Sequence, residues 1–468
     1  MSTSDCQLVV IGGGPGGYAA AFRAADLGLD VTLVESAPRL GGVCLLRGCI
    51  PSKALLHVAR VLTEAREAAE WGIRFGSPTI DLGAVRDWKD RVIGRLADGV
   101  LELARRRGIR ILHARATFVD SQTLRLEGAD VGTLRFRNAI LATGSIPAVP
   151  PPLAADDPRV IDSTGALELQ DIPARLLVVG GGYIGLEMGT VYSALGSRVV
   201  VVEMTDGLLP GVDRDLVRPL AQRLKERFEA VHLNTRVVAL RPDADGVLAS
   251  LEGASAGEER FDRVLIAVGR RPNSLNLGLE NTKVIVDGRG FVQVDRQLRT
   301  ADANIFAIGD LAGEPMLAHK ASHEGRTAAE VVAGHDTEFD KAAIPAVVFT
   351  DPEIAWCGLT ETQARSQGRE VQVARFPWGA SGRAATLGRA DGVTKLICDP
   401  QTQRVLGVGI TGAGAGELIA EGVLAVEMAA VARDVAETVH PHPTLSETVG
   451  ESAEAVLGSA THLFVRRA

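Results

Sequence analysis

The chain has 468 residues, of which 52 are glycine, 46% are hydrophobic and 23% are charged. This composition excludes a disordered chain, a collagen-like fibre and a small disulfide scaffold, and the length predicts about two to four domains. The net charge of −8 is spread over the chain without a run of like charge that would favour nucleic acid. The first residues do not resemble a signal peptide, and no stretch of about 18 residues is apolar and uncharged. We therefore expect a cytoplasmic protein that binds neither nucleic acid nor membrane.

The first predicted element is a nucleotide-binding unit. A strand, a glycine-rich turn, a helix and a second strand are predicted at residues 8–11, 12–17, 18–27 and 31–34. Gly12 provides the tight turn, Gly14 lets the backbone approach a pyrophosphate, and Gly17 permits close packing of helix on strand. Glu35 ends the second strand, where a carboxylate accepts hydrogen bonds from ribose hydroxyls.

The same arrangement occurs again in the middle of the chain. Gly180, Gly182 and Gly185 follow an apolar strand, and Glu203 lies 23 residues after the first of these glycines, as Glu35 does after its own. Two dinucleotide sites in one chain suggest a flavin and a nicotinamide. Because a carboxylate at position 203 would repel a 2′-phosphate, we expect NAD rather than NADP.

Two of the five cysteines, Cys44 and Cys49, lie close together just after the first unit. No second cysteine pair is available to complete a zinc site, although two unrelated buried thiols remain an alternative. On a regular helix, Cα atoms five residues apart are about 8–9 Å from each other, beyond the ~7 Å that a disulfide tolerates. Gly48 and Pro51 provide the irregularity that a bridge needs. A strained disulfide beside a flavin, in a reducing compartment, is expected to be catalytic.

Proline-rich linkers and further strands organise the rest of the chain. The first unit ends in a proline cluster at 146–152 and the second at 270–273, and a strand at 305–308 leads into Asp310. From residue 344 onward the chain has apolar strands, such as 346–349, and a helical stretch at 416–431, without a nucleotide motif.

Histidines near the C-terminal end offer a base. Thiol–disulfide exchange needs a thiolate, so a base with a pKa of about 6–7 is expected, and histidine is the natural choice. His440 and His442 are candidates, and Glu447 is near enough in sequence to orient an imidazole.

Residues 41–53, Gly-Gly-Val-Cys-Leu-Leu-Arg-Gly-Cys-Ile-Pro-Ser-Lys, resemble the redox-active segment of the flavin disulfide reductases. The resemblance covers essentially the whole chain. Within this group the chain resembles the dihydrolipoamide dehydrogenases, with matching segments at 182–187, 315–320, 350–356 and 442–447. Glutathione reductases usually bind the 2′-phosphate with cations, which Glu203 opposes, and mercuric reductases carry a C-terminal cysteine pair. A flavin-binding scaffold without catalysis is a further alternative.

The resemblance implies an α/β fold with two Rossmann-like FAD/NAD(P)-binding domains, a central domain and a C-terminal α+β dimerisation domain. The expected bounds are 1–147 for the FAD-binding domain, 148–273 for the NAD-binding domain, 274–343 for the central domain and 344–468 for the dimerisation domain. The implied reaction oxidises dihydrolipoamide on a lipoylated acyltransferase or H-protein and reduces NAD⁺. The implied assembly is a homodimer whose active sites are shared between subunits.

The resemblance also implies roles for individual residues. Cys44 is expected to exchange with the substrate and Cys49 to form the thiolate beside the flavin, while His442 of the other subunit is the base and Glu447 its partner. Lys53 and Glu187 are expected to pair near the flavin, Asp310 to meet the ribityl chain and Ala318 to offer backbone to the ring. Further positions expected at one or the other cofactor are Gly42, Ala116, Thr143, Gly144, Ser145, Tyr183, Ile184, Val237 and Gly269. No metal site is expected.

Three positions depart from the usual family pattern. Arg47 lies between the cysteines, where it either lowers a thiol pKa or points to solvent. Tyr183 occupies the place of a gating tyrosine in glutathione reductases and is expected to cover the flavin when NAD is absent. Pro441, between the two histidines, stiffens the approach to His442.

Overall fold

The computed structural model describes residues 2–464. Its first sheet has seven strands and is parallel in its central part, as expected for a Rossmann-like unit. The strand order is Arg110–His113, Val31–Glu35, Ser2–Ile11, Val131–Leu141, Thr123–Glu127 and Arg115–Asp120, with Ile305–Ala307 also paired to Val131–Leu141. The helices of this part are Pro15–Asp26, Gly42–Arg47, Cys49–Glu67, Leu82–Arg106 and Ala318–Val332, with 3₁₀ turns at Ala68–Trp71, Leu279–Asn281 and Gly309–Leu311.

The second unit is built on a five-stranded parallel sheet, so the prediction of two Rossmann-like units is confirmed. Its strands run in the order Ala230–His232, Arg198–Val202, Arg175–Val179, Arg263–Ile266 and Val160–Ile161. Three antiparallel strands, Thr235–Asp243, Gly246–Gly253 and Gly257–Phe261, cover it, and Ser145–Pro147 pairs with Arg270–Pro272 where the two units meet. Its helices are Ser163–Glu168, Tyr183–Leu195 and Arg214–Arg227, with a 3₁₀ turn at Pro151–Leu153.

The C-terminal part is a five-stranded antiparallel sheet with helices, which confirms the α+β prediction. The strand order is Ala346–Val348, Glu353–Gly358, Val405–Gly412, Val393–Cys398 and Gln372–Pro377. The helices are Glu361–Ser366, Gly382–Thr386, Ala415–Glu427, Ala432–Glu437 and Glu447–Leu457, with a 3₁₀ turn at Trp378–Ala380.

The structure refines two sequence predictions. The helix predicted at 416–431 ends at Glu427, because Ala429 is left-handed (φ 56°) and the Ala430 carbonyl accepts the Val405 N–H. The segment predicted as a central domain, 274–343, contributes Ile305–Ala307 to the first sheet. The four-domain division itself stays a prediction.

One helical stretch, Gly42–Trp71, has the length and mean hydropathy of a membrane span. It carries Lys53 and three arginines, and Lys53 pairs with Glu187 of the helix Tyr183–Leu195. Its most apolar part is 39% buried, and a single stretch of this kind is weak evidence for a membrane span.

A buried ion cluster joins the second unit to the C-terminal part. The Nζ atom of Lys395, whose side chain is 1% exposed, lies 2.7 Å from Asp213, 2.8 Å from Asp215 and 3.0 Å from Glu361. Burial raises the pKa of Asp213, but hydrogen bonds from Lys395 and Thr362 outweigh it and bring the pKa to about 2. The three carboxylates, which lie close enough to hold a metal ion, therefore surround an ammonium group.

Candidate active site

The first glycine-rich turn has the geometry that its sequence predicts. Gly12 has φ +106°, and a Cβ on Gly17 would collide with the carbonyl oxygen of Gly12, so helix and strand pack as closely as expected. Glu35 is buried and its carboxylate accepts hydrogen bonds from the N–H of Gly13 and of Ala37, each at 2.7 Å.

The second turn repeats this geometry. Gly180 has φ +107°, and a Cβ on Gly185 would collide with the Gly180 carbonyl oxygen. The Glu203 carboxylate accepts the Gly181 N–H at 2.7 Å and the Thr205 N–H at 2.8 Å. Each carboxylate therefore stabilises the glycine-rich turn that precedes it, whether or not it also binds a ligand.

A long cavity of about 540 Å³ begins at the first turn and ends at the cysteine pair. It brings together most of the residues predicted for the flavin site and for catalysis. These are Gly12, Gly14, Glu35, Gly42, Cys44, Cys49, Lys53, Ala116, Thr143, Gly144, Ser145, Tyr183, Ile184, Glu187, Asp310 and Ala318. The cavity is elongated, has a glycine turn with accessible backbone at one end and thiols at the other, and so fits a dinucleotide that carries a redox-active ring.

The remaining predicted residues lie elsewhere. Gly17 packs beneath the first turn, and Gly180, Gly182, Gly185 and Glu203 form the second turn, outside the cavity. Val237 is buried in the apolar core of the second unit, which leaves its backbone, paired with Leu251, as the part that could serve a ligand. Gly269 has φ +124° and open space around its Cα. Their roles at a nicotinamide stay predictions.

The two cysteines lie on either side of a helix break. The helices Gly42–Arg47 and Cys49–Glu67 are separated by Gly48, whose φ of −147° and ψ of −105° are not helical. The predicted irregularity is therefore present at Gly48, whereas Pro51 fits in the first turn of the second helix, where a missing N–H costs little. The two sulfurs are not joined in this structure, and each thiol affects the pKa of the other.

The two thiols differ in acidity. The hydrogen bond from Cys44, followed by the charge of Lys53, lowers the pKa of Cys49 to about 7 against the opposing effect of burial. Donating that hydrogen bond, together with burial, raises the pKa of Cys44 well above its ordinary value. In the reduced pair, Cys49 is therefore the more acidic of the two thiols.

We expect the alkylation rate of the reduced pair to rise with pH with a midpoint near pH 7, because only the thiolate reacts. Iodoacetamide labelling of the reduced enzyme across pH 5–10, about the range in which thiols titrate, measures it. Lys53→Gln should move the midpoint upward, since loss of the cation disfavours the thiolate. Arg47→Gln is the matched control and should leave the midpoint in place. A wild-type midpoint near the ordinary thiol value of 9.0 would contradict this assignment.

Lys53 and Glu187 pair as predicted. Lys53 Nζ lies 2.9 Å from Oε2 of Glu187, which is nearly fully buried. The second carboxylate oxygen of Glu187 accepts the N–H of Phe349 at 3.0 Å, and the Phe349 ring lies 4.4 Å from the Lys53 ammonium. Phe349 was predicted only as the end of a strand. Its backbone leaves that strand after Val348 to bind Glu187.

Arg270 also lines the cavity, although the sequence predicts only a domain boundary at this position. Its guanidinium donates to Oγ and to the carbonyl oxygen of Ser145, at 2.8 and 2.7 Å, and Ser145 Oγ donates to Asp310 at 2.5 Å. The Arg-Arg-Pro-Asn run at 270–273 marks this position in the sequence but does not indicate Ser145 as a partner. Asp310 is thus oriented through a chain of two hydrogen bonds.

Two of the three positions that depart from the family pattern, Arg47 and Tyr183, also line the cavity. Arg47 is exposed, and Lys53 is the cation that lowers the pKa of both thiols. The geometry thus favours the alternative in which Arg47 faces solvent. Tyr183 begins the helix Tyr183–Leu195 with its side chain partly exposed to the cavity, and burial raises the pKa of its hydroxyl to about 12. Its gating role stays a prediction.

His442 and Glu447 form a dyad at the surface of the C-terminal part. His442 Nδ1 donates to Glu447 Oε1 at 2.8 Å, which leaves Nε2 free to accept a proton, and the imidazole is 75% exposed. Burial raises the pKa of Glu447, but hydrogen bonds from His442 and the Thr444 N–H outweigh it and lower the pKa. His440 is instead enclosed and bonded to Glu421 at 2.7 Å, as expected of a structural histidine.

The dyad and the cysteines of one chain are apart. Within the described part of the chain, no residue beyond Ala321 lines the cavity that contains Cys44 and Cys49. That His442 of a second subunit meets Cys44 stays a prediction.

The sequence is similar to those of known protein families. Residues 6–325 match the family described as pyridine nucleotide-disulphide oxidoreductase, and residues 344–453 match the dimerisation domain of the same family. A dihydrolipoyl dehydrogenase from Vibrio cholerae is 49% identical over 98% of this chain and 97% of its own length. The chain belongs to the dihydrolipoyl dehydrogenase family. Another member, from Bacillus subtilis, is 44% identical over 98% of both chains.

Solved structures of two similar proteins have the same fold. LpdA from Mycobacterium tuberculosis superposes with a TM-score of 0.89 at 27% identity, over 96% of this chain and 99% of that one. The HOCl-induced reductase RclA from Escherichia coli gives 0.85 at 28% identity, with the same coverage. The predicted family, fold and dimeric organisation are therefore confirmed, since the family's dimerisation domain is present.

Proposed function

We propose that this member of the dihydrolipoyl dehydrogenase family is a cytoplasmic enzyme that oxidises protein-bound dihydrolipoamide to lipoamide and reduces NAD⁺ to NADH. Its lipoyl-bearing partner would be the acyltransferase of a 2-oxo acid dehydrogenase complex or the H-protein of a glycine cleavage complex. The observation that carries the proposal is the placement of Cys44 and Cys49, on either side of a helix break, in the wall of the dinucleotide cavity beside Lys53.

FAD is the dinucleotide that fits the cavity and NAD is its exchanging partner. Gly12, Gly14 and Glu35 would hold the adenosine and pyrophosphate end of FAD, and Asp310 would meet its ribityl hydroxyls. When bound, FAD accepts an electron pair from a dithiol and passes it to a nicotinamide as hydride. Glu203 would bind the ribose of NAD and disfavour a 2′-phosphate.

The side chains of the enzyme perform the thiol chemistry. His442 of one subunit accepts the proton of a dihydrolipoamide thiol, and the resulting thiolate attacks Cys44 Sγ of the Cys44–Cys49 disulfide of the other. The S–S bond breaks and Cys49 leaves as a thiolate, which Lys53 stabilises. The second substrate thiol then attacks the mixed disulfide and displaces Cys44. The products are lipoamide, a Cys44 thiol and a Cys49 thiolate, with one proton retained on His442.

The test is a set of parallel assays on the purified enzyme. NAD⁺ reduction with dihydrolipoamide should be rapid, whereas NADPH should reduce lipoamide poorly compared with NADH, because Glu203 repels the 2′-phosphate. Disulfide-linked glutathione with NADPH tests the glutathione reductase alternative. A colourless protein without lipoamide-dependent NADH formation would contradict the proposal and favour a scaffold.

A further inference from the structure

A buried ion pair that the proposed reaction does not use lies behind the cavity. Lys320 and Glu324 are one turn apart on the helix Ala318–Val332, and their side chains are only 6% and 5% exposed. The Lys320 Nζ and Glu324 Oε1 atoms are 2.9 Å apart. Charges buried this deeply are costly, so each needs further hydrogen bonds to be tolerated.

The further hydrogen bonds of the pair go to the segment around Asp310. Glu324 Oε2 accepts the N–H of Gly309 at 2.6 Å. Lys320 Nζ donates to the carbonyl oxygen of Gly309 at 3.4 Å and to that of Gly313 at 3.1 Å. Both backbone polar groups of the residue before Asp310 are therefore bonded to the two members of the pair.

The segment and the helix are also in close steric contact. Gly309 has φ +70°, and a Cβ placed there would lie 2.9 Å from the Cβ of Ala321. Gly309, Asp310, Ala318 and Ala321 all line the cavity. The ion pair thus ties together two walls of one cavity, while Ser145 holds the Asp310 carboxylate from the opposite side.

We propose that Lys320 and Glu324 are positioning residues for FAD: together they fix the backbone at Gly309, and so place the Asp310 carboxylate where it can accept hydrogen bonds from the cofactor's hydroxyl-bearing chain. The inference rests on the proposed FAD site. Neither residue contacts the cavity itself within the described part of the chain, so their effect on FAD passes through Gly309 and Asp310.

Three variants of the full-length holoenzyme test this proposal. Lys320→Met and Glu324→Met each break the pair and should raise the dissociation constant for FAD about tenfold. Both leave a buried polar group without its partner, so a lower melting temperature is also expected. The double variant K320M/E324M removes both charges, and apolar replacement of a whole buried pair is often tolerated. Its melting temperature should recover, yet its FAD affinity should stay low because Gly309 has lost its hydrogen bonds to both side chains.

Lys395→Met is the matched control. Lys395 is equally buried and bonded to three carboxylates, but it lies outside the cavity. We expect it to lower the melting temperature and leave the FAD dissociation constant unchanged, as measured by flavin fluorescence on dilution. The inference is overturned if K395M loses FAD as K320M does, or if K320M/E324M binds FAD like the wild type. A wild-type protein without FAD would instead refute the proposed function itself, together with this inference.

Discussion

Replacing Cys44 with serine is expected to lower kcat for dihydrolipoamide oxidation by about a thousandfold or more, since no covalent exchange with the substrate can occur. The substitution replaces a thiol in a cavity wall with a slightly smaller hydroxyl, so the fold and the retention of FAD should persist. Steady-state NADH formation, together with the FAD-to-protein ratio, measures the outcome.

Cys6→Ser is the matched control for this prediction. Cys6 is buried away from the long cavity, and its thiol already donates to the Arg135 carbonyl oxygen, a bond that a serine hydroxyl can keep. Full activity is expected. Substantial lipoamide-dependent activity in C44S would show that the reaction proceeds without the disulfide.

Replacing His442 with glutamine is expected to lower the same kcat by about a hundred- to ten-thousandfold, which is the usual contribution of a general base. Glu447→Gln should have a smaller effect, because the imidazole is retained and loses only the carboxylate that orients it through Nδ1. Reduction of ferricyanide by NADH needs no thiol base and should be unchanged in both variants. Equal losses in both reactions would contradict a role as base.

A mixture of two inactive variants tests whether the site is shared between subunits. Suppose that His442 of one subunit is the base for Cys44 of the other. A heterodimer of one H442Q and one C44S subunit then contains one intact site. That site combines the His442 of the C44S subunit with the Cys44 of the H442Q subunit. Co-expression with two different affinity tags isolates this heterodimer. About half of wild-type activity is expected. Activity no higher than that of either parent would place base and thiol in the same chain.

Local patterns in the sequence were enough to predict the two nucleotide-binding turns. Their glycines and acids interact within about two dozen residues, so the requirement for each side chain is visible in the spacing. The break between the redox cysteines was predictable for the same reason, because Gly48 lies between them.

Contacts between distant segments could not be predicted in this way. Arg270 reaches Ser145 across 125 residues and Phe349 reaches Glu187 across 162. Nothing in the local sequence around Arg270 or Phe349 indicates such a partner, since the fold alone brings the segments together. The buried ion pair of Lys320 and Glu324 could not be predicted either. Opposite charges at helical spacing usually indicate a pair on the surface, whereas here both side chains are buried.

The carboxylates of Glu35 and Glu203 each accept an N–H group of the glycine turn they follow, at 2.7 Å, from the protein alone. A turn held in this way keeps its shape before a nucleotide arrives and after it departs. For a ligand that stays bound the benefit is small, but a nicotinamide must enter and leave in every turnover. At the second turn, where we propose that NAD binds, no loop would have to be ordered at each arrival, so that part of the entropic cost of binding would be avoided.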